Sequence, residues 1–278
     1  MKGLINILHS DRSLQLGVII ISVICLFSIL GPLLSPYHYN TQNLSESFQR
    51  PSWSHPLGTD FFGRDLLTRL MYGGRITLTV AFSATLFAVI IGTIVGLASG
   101  FIGGWLDRIL MRLVDILLGF PKLFVILLLV GMGYTSLGLV VTFLALFSWM
   151  EIARIVRSDV WVAKEQLYVK SAEALGLRRR RIIFRHILPN ITGPLIVSTV
   201  LLISSLILIE SSLSFLGLGV QPPNASWGTI LNEGRVDPVG AWWISVFSGI
   251  IIVTCVIGFN LIGDGLRNIL DPKTGKKT

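Results

Sequence analysis

Few residues in this chain stand in patterns that do chemistry. There is no G-x-x-x-x-G-K-[ST] run, so the chain does not hydrolyse nucleotide through a P-loop, and there is no H-E-x-x-H metal motif. His9, His38, His55 and His186 are scattered and read as interfacial or loop residues, and no nucleophile–base arrangement or metal-ligand spacing is found. Gly217-Leu-Gly219 is followed by Pro222, so it cannot open the helix that a dinucleotide fingerprint needs. One dense charged group, Asp107, Arg108, Arg112 and Asp115, has the composition of a membrane-surface enzyme site, but its spacing equally suits i,i+4 pairs along a helix. Glu210 ends a long apolar run. A carboxylate at mid-membrane costs about 2.5–3.5 kcal/mol on insertion scales. Near the outer end of a span the cost is lower, and Glu210 reads either as a capping or interfacial residue or as a group at the mouth of a translocation path. No second intramembrane carboxylate or histidine accompanies it, which argues against a proton relay. No catalytic residue, metal or cofactor is predicted for the chain itself.

The elements that position these residues are membrane spans. Of 278 residues, 52% are hydrophobic and only 14% are charged, where soluble domains carry about 25%. So few charges cannot cover a soluble fold of this size, which leaves an all-α polytopic membrane protein. Cys25 and Cys255 lie inside apolar runs and imply no disulfide framework. The net charge of +8 comes without aromatic–basic interleaving or zinc spacing, so it reads as the basic bias of cytoplasmic loops, and nucleic acid is not expected as a partner.

Runs free of Asp, Glu, Lys and Arg cover Ser13–Ser45, Ile76–Leu106, Leu123–Met150, His186–Ile209 and Pro238–Gly263. The first has its apolar core at Leu14–Leu34, too long for a signal peptide and followed by no A-x-A site, so it reads as an uncleaved span. Ser211–Asn232 also lacks charge, but Pro222, Pro223, Asn224 and its serines make it a loop. Leu123–Met150 is ambiguous: one tilted helix, or most of two that turn near Gly131–Ser136. Counted as one, it puts most basic residues outside. Counted as two, it gives six transmembrane helices with N- and C-termini cytoplasmic, and leaves 18 of the 23 Lys and Arg residues inside. The boundaries predicted are a cytoplasmic N-terminus at 1–13, a first span at 14–34, an extracytoplasmic segment at 35–75, and a membrane domain at 76–265. Its spans cover about 76–101, 109–131, 136–156, 190–210 and 241–263, with a cytoplasmic loop at about 157–189 and a tail at 266–278.

Gly92, Gly96, Gly100 and Gly104 recur every fourth residue and form a stripe without side chains, which lets a second helix approach closely. It reads as span-to-span packing, or as a sliding face for a helix that moves. The cytoplasmic loop is the most informative segment. Ala172, Ala174 and Leu175 favour helix, Gly176 can end it with φ > 0, and Ile182, Ile183, Phe184 and Ile187 suggest a second short helix before Pro189. A helix–glycine–helix elbow pointing into the cytoplasm can dock in a cleft of another protein. Arg178–Arg181 supply the positive-inside signal and attraction to anionic lipid. On the other side of the membrane, Asp60, Arg64, Asp65 and Arg69 are expected to form local ion pairs that hold the start of the second span.

At the elbow the sequence resembles the inner-membrane permeases of ATP-binding-cassette importers, whose EAA-type loop carries a glycine followed by Leu-Pro twelve and thirteen residues later. Gly176, Leu188 and Pro189 fit this spacing, while Lys170 replaces the usual Glu, Ser171 the next Ala, and His186 a frequent Ile. His55-Pro-Leu-Gly-Thr-Asp60 with Gly63-Arg-Asp65, Glu210-to-Pro223 with Ser226-Trp-Gly228, and Asn260-Leu-Ile-Gly-Asp264 with Leu266-to-Pro272 resemble the peptide/nickel subfamily, the first block pointing to its "C"-type subunit. The resemblance implies a type I importer permease fold in the bacterial cytoplasmic membrane. It also implies a second homologous permease, two cytoplasmic ATPase subunits that bind the ATP, and an extracytoplasmic solute-binding protein, with membrane lipid around the spans. Lys170, Ser171, Ala172, Glu173, Ala174, Leu175, Gly176, Leu188 and Pro189 become the ATPase-coupling loop, and cargo becomes small peptides, nickel complexes or other small solutes. A stand-alone secondary transporter is the alternative. It needs mid-membrane ionisable groups and usually more spans arranged as repeats.

Overall fold

In the computed structural model, residues 11–122, 124, 125, 128 and 136–270 are described. The described residues form helices and no named strand. In chain order these are α1 (Arg12–Leu34), α2 (Leu66–Ile102), α3 (Gly104–Leu118), α4 (Leu137–Lys164), α5 (Leu167–Ala174), α6 (Arg179–Ile182), α7 (Leu188–Phe215), α8 (Trp227–Glu233) and α9 (Trp242–Leu270). A π-helical turn, Ile183–Ile187, joins α6 to α7. Five stretches among the described residues are long and apolar enough to cross a membrane: α1, α2, α4, α6 through α7, and α9. The expected span at 109–131 begins within α3, which starts at Gly104 and is capped at Gly119. Residues 123, 126, 127 and 129–135, which include nearly all of the turn expected near Gly131–Ser136, lie outside the described residues, as do 1–10 and 271–278.

The helices outrun the charge-free runs that marked them. α2 begins at Leu66 rather than Ile76, because Asp65 caps it: the Asp65 side chain accepts from the Thr68 backbone N–H at 2.8 Å. At 1.5 Å per residue its 37 residues extend about 55 Å, well beyond a hydrocarbon core of about 30 Å. The expected loop at Ser211–Asn232 is also partly helical. α7 continues to Phe215, and Ser226 opens α8 through a capping box with Thr229.

The glycine stripe sets the centre of the bundle. A Cβ on Gly92 would stand 2.6 Å from the Trp149 carbonyl, one on Gly96 2.7 Å from that of Ala153, and one on Gly100 2.8 Å from the Val160 side chain. α2 and α4 therefore pack almost backbone to backbone, and their residue numbers rise together, so the two helices run parallel. Gly104 is not part of this contact. It follows Gly103 in a break between α2 and α3 where both have positive φ (68° and 64°), and a Cβ there meets nothing. Two adjacent left-handed residues turn the chain sharply, which is why the four-residue repeat ends at Gly100.

The other neighbours are antiparallel. α1 crosses α9 where Gly17 meets Gly258 and Ile262, and Gly265 meets Leu14. α7 pairs with α9 through Gly263 and Leu201. α3 is clipped to α4 by Asp107–Arg157 and Asp115–Arg154, and Lys122, beyond the end of α3, pairs with Glu151 of α4. The two aspartates of the charged group thus reach across to α4 rather than pairing along α3. Arg157 makes two bonds to Asp107, of 2.5 and 2.7 Å, and lies 3.8 Å from the Trp161 ring centre. α1 is tied to α2 by an arginine. Pro32 has no N–H for the Ser28 carbonyl, and Arg75 donates to that carbonyl at 2.9 Å and to Ile29 at 2.6 Å. These pairings bring Asp11, Gly103, the α4–α7 elbow and Asn268 to one end of the bundle, where Asn268 donates to Asp11 at 3.0 Å.

Gly96→Leu is expected to separate α2 from α4 and lower stability by at least about 1–3 kcal/mol, the usual cost of overpacking a tight site. Thermal unfolding in detergent checks this: a marked loss of melting temperature for Gly96→Leu, and little change for Gly249→Ala, where a Cβ meets nothing within 4 Å.

Candidate functional site

Two structures stand at opposite ends of the bundle. At the elbow end, α5 carries Lys170, Ser171, Ala172, Glu173 and Ala174, with Val169 and Ala172 turned into the core. Leu175 caps the helix and Gly176 has φ +71°. The Gly176 N–H bonds the Glu173 carbonyl at 2.9 Å and the Leu177 N–H bonds that of Ala172 at 3.2 Å. This is the Schellman arrangement, in which a left-handed glycine closes the last turn. A Cβ at Gly176 would meet nothing within 4 Å, so its requirement is conformational rather than steric. Leu175, at the tip, is 79% exposed, as are Leu167 (82%) and Tyr168 (39%) to differing degrees. Lys170 pairs with Glu165 at 2.7 Å across an exposed surface, a contact of small energetic weight.

The return limb is not the separate short helix expected. α6, the π turn and α7 are continuous, anchored by buried Ile182 and Ile187. Leu188 and Pro189 are the first residues of α7 rather than a linker before it. Pro189 offers no N–H to the Arg185 carbonyl, and the wider π winding precedes it. Arg178–Arg181 are exposed.

At the opposite end, a buried ionic network joins the loop before α2 to α8. Arg64 Nε donates to Asp60 Oδ2 at 2.6 Å and Arg69 Nη1 to the same oxygen at 2.9 Å. Both arginines then reach Glu233 Oε1, at 3.0 and 2.8 Å. Asp65 does not join the arginines. It caps α2 and bonds the His55 ring at 2.9 Å, so His55 is buried in this loop rather than interfacial. Two tryptophans lock the assembly: Trp227 Nε1 donates to the Leu70 carbonyl at 2.9 Å, and Trp243 Nε1 to that of Thr59 at 3.2 Å. Burial pushes the Asp60 carboxyl upward against the pull of Arg64. Burial likewise raises Glu233 to about 7, opposed by Arg64 and reinforced by Asp60. Glu233 is the member without a local signal, since its partners lie more than 160 residues away.

Glu210 sits between these ends, beneath α8. It is fully buried, and Ser214 Oγ donates to its Oε1 at 2.7 Å while Oε2 has no protein partner. It is therefore buried rather than interfacial. α8 seals it: Gly228 approaches the Ser211 backbone closely, and the Trp227 N–H bonds Thr77 Oγ1 at 3.2 Å.

Five apolar helices of membrane length, with an exposed elbow at one end of the bundle and a buried ionic network at the other, define a polytopic membrane protein. Residues 66–276 match the model of the "binding-protein-dependent transport system inner membrane component" family, and residues 7–51 match the "N-terminal TM domain of oligopeptide transport permease C". The chain belongs to this family of multi-pass inner-membrane permeases. It is 42% identical to a dipeptide transport system permease protein of Alkalihalophilus pseudofirmus, covering 96% of this chain and 88% of that one. It is 39% identical to an oligopeptide transport system permease protein of Bacillus subtilis, covering 96% and 88%. It is 40% identical to the Escherichia coli oligopeptide counterpart, covering 95% and 88%. A chain from an inward-facing structure of the MetNI methionine ABC transporter shares the fold, with a TM-score of 0.51 at 17% identity over 74% of this chain and 94% of that one.

Removing one cation from the ionic network leaves buried carboxylates uncompensated, so Arg69→Ala is expected to cost roughly 3–5 kcal/mol. Glu233 binds its proton more tightly folded than unfolded. Its contribution to stability is then complete below about pH 4.5 and is lost as pH rises through about 7. Melting temperature is expected to fall between pH 5 and pH 8, and Glu233→Gln to flatten that fall.

Proposed function

We propose that this permease forms half of a translocation path for small peptides, paired with a second, homologous permease. ATP hydrolysis on two cytoplasmic subunits that grip the α5–Gly176 elbow would drive it, with substrate delivered by an extracytoplasmic binding protein. The observation that carries the reading is the elbow itself. A Schellman-closed turn presents exposed Leu175 at its tip, at the same end of the bundle as Asp11 and Asn268. Exposed apolar residues on a charged loop outside the membrane fit a protein partner better than water. The parallel packing of α2 and α4 supports six crossings, since the chain leaves α2 at one end of the bundle and enters α4 at the other. The basic bias supports a cytoplasmic position for both termini and the elbow.

Peptide cargo is supported by the names of the relatives, which are dipeptide and oligopeptide permeases. Nickel complexes and other small solutes stay as narrower options from the subfamily resemblance. In this reading the chain does no chemistry. It transmits motion, and nucleotide shifts the permease pair only because it binds the two states of the ATPase pair unequally. A stand-alone secondary transporter is disfavoured, because Glu210, the carboxylate buried on the α7 span, is bonded to Ser214 with no second ionisable group beside it among the described residues.

Gly176→Val forces a β-branched residue to φ +71°, which costs on the order of 1–2 kcal/mol in the elbow. Uptake of a radiolabelled dipeptide by cells is expected to drop sharply while membrane insertion stays normal. Full uptake by that variant would remove the coupling role. Single cysteines at 170–185, in a chain with Cys25 and Cys255 replaced, are expected to resist an impermeant thiol reagent added to intact cells. Labelling from outside would invert the topology.

A further inference from the structure

An apolar groove of about 520 Å³ runs along α2 beside the return limb of the elbow, walled by Ile90, Ile94, Ala98 and Ile102 on one side and by Ile183 and Phe184 on the other. Its length along α2, from Val89 to Ile102, is about 20 Å at 1.5 Å per residue. That is the depth of one leaflet of a hydrocarbon core about 30 Å thick, with a little of its interface. Thr93 also lines the groove, and its Oγ1 is buried without a protein partner. Arg180 and Arg181 lie one helical turn before Ile183 and Phe184, on the same side of the limb. They are exposed and make no ion pair among the described residues.

We propose that this groove holds one molecule of an anionic phospholipid, with an acyl chain along α2 and its phosphate on Arg180 and Arg181. Charge complementarity decides the occupant. An apolar helix of a partner would fill the groove and leave both guanidiniums unanswered, whereas a phospholipid carries an apolar chain and a bidentate anion in one molecule. The site goes beyond the bulk attraction of basic loops to a membrane, because shape and charge meet at one place. It rests on the proposed position of the elbow at the membrane surface, which the external labelling tests separately. Lipid bound at the root of the return limb would couple the elbow's position to leaflet composition.

The test is native mass spectrometry of the assembled permease complex, equilibrated with equimolar phosphatidylglycerol and phosphatidylcholine of matched chains. The native complex is expected to retain phosphatidylglycerol preferentially. Arg180→Gln with Arg181→Gln is expected to lower that retention roughly 5-fold per arginine and to remove the preference over phosphatidylcholine. Ala98→Trp, which fills the groove and keeps the arginines, is expected to lower retention of both lipids. Undiminished phosphatidylglycerol retention in the arginine variant overturns the proposal. So does a photo-crosslinker on Ile94→Cys that captures another polypeptide instead of lipid.

Discussion

The close approach of α2 to α4 is the constraint on which the rest of the molecule depends. Without side chains at Gly92, Gly96 and Gly100, two long helices meet at backbone distance, and van der Waals packing substitutes for the hydrophobic driving force that lipid does not supply. Because the contact is parallel, α2 ends and α4 begins at opposite ends of the bundle. The contact also sends the C-terminal end of α4 out beside the end of α2, where Lys164 donates to the Phe101 carbonyl at 2.8 Å. The elbow therefore hangs from a rigid pair rather than from a free loop. A force applied at Leu175 is delivered to α4 on one limb and directly to α7 on the other.

At the opposite end, rigidity comes from polar groups that have been taken out of water together. Asp60, Arg64, Arg69 and Glu233 are individually costly to bury, and mutual bonding makes the set tolerable. The network welds α8 to the start of α2, and α8 in turn covers Glu210. The carboxylate with an unanswered oxygen is thus covered by a short helix whose own anchorage is ionic, so the burial of the acid depends on the same few contacts.

The sequence made the helical architecture and the elbow readable because both rest on local signals: apolar runs of membrane length, and a glycine after a run of helix formers. Gly92, Gly96 and Gly100 announced a close contact but not its partner, since Trp149, Ala153 and Val160 carry no mark of their own. Helix ends were misplaced where a charged residue is satisfied by something distant. Arg69 and Arg75 read as loop residues outside a span, yet both lie in α2, one held by Asp60 and Glu233 and the other by α1 carbonyls. α8 was hidden by its neighbouring prolines, although Ser226 and Thr229 already stood at capping-box spacing. Glu233 had no local signal at all, because its role exists only once α8 has folded back on α2.

The pairing of Pro32 with Arg75 has a consequence for how the first helix was fitted to the bundle. A proline inside a lipid-exposed helix strands a carbonyl where no solvent can answer it, and here the answer is lent by a cation from the neighbouring span. Neither residue is comfortable alone: the proline leaves an acceptor bare, and the guanidinium without that acceptor is a charge at the membrane edge. Such a pair is expected to be inherited as a unit. Lineages that dispense with the N-terminal helix should have no use for the arginine, and a chain bearing one half should select quickly for the other.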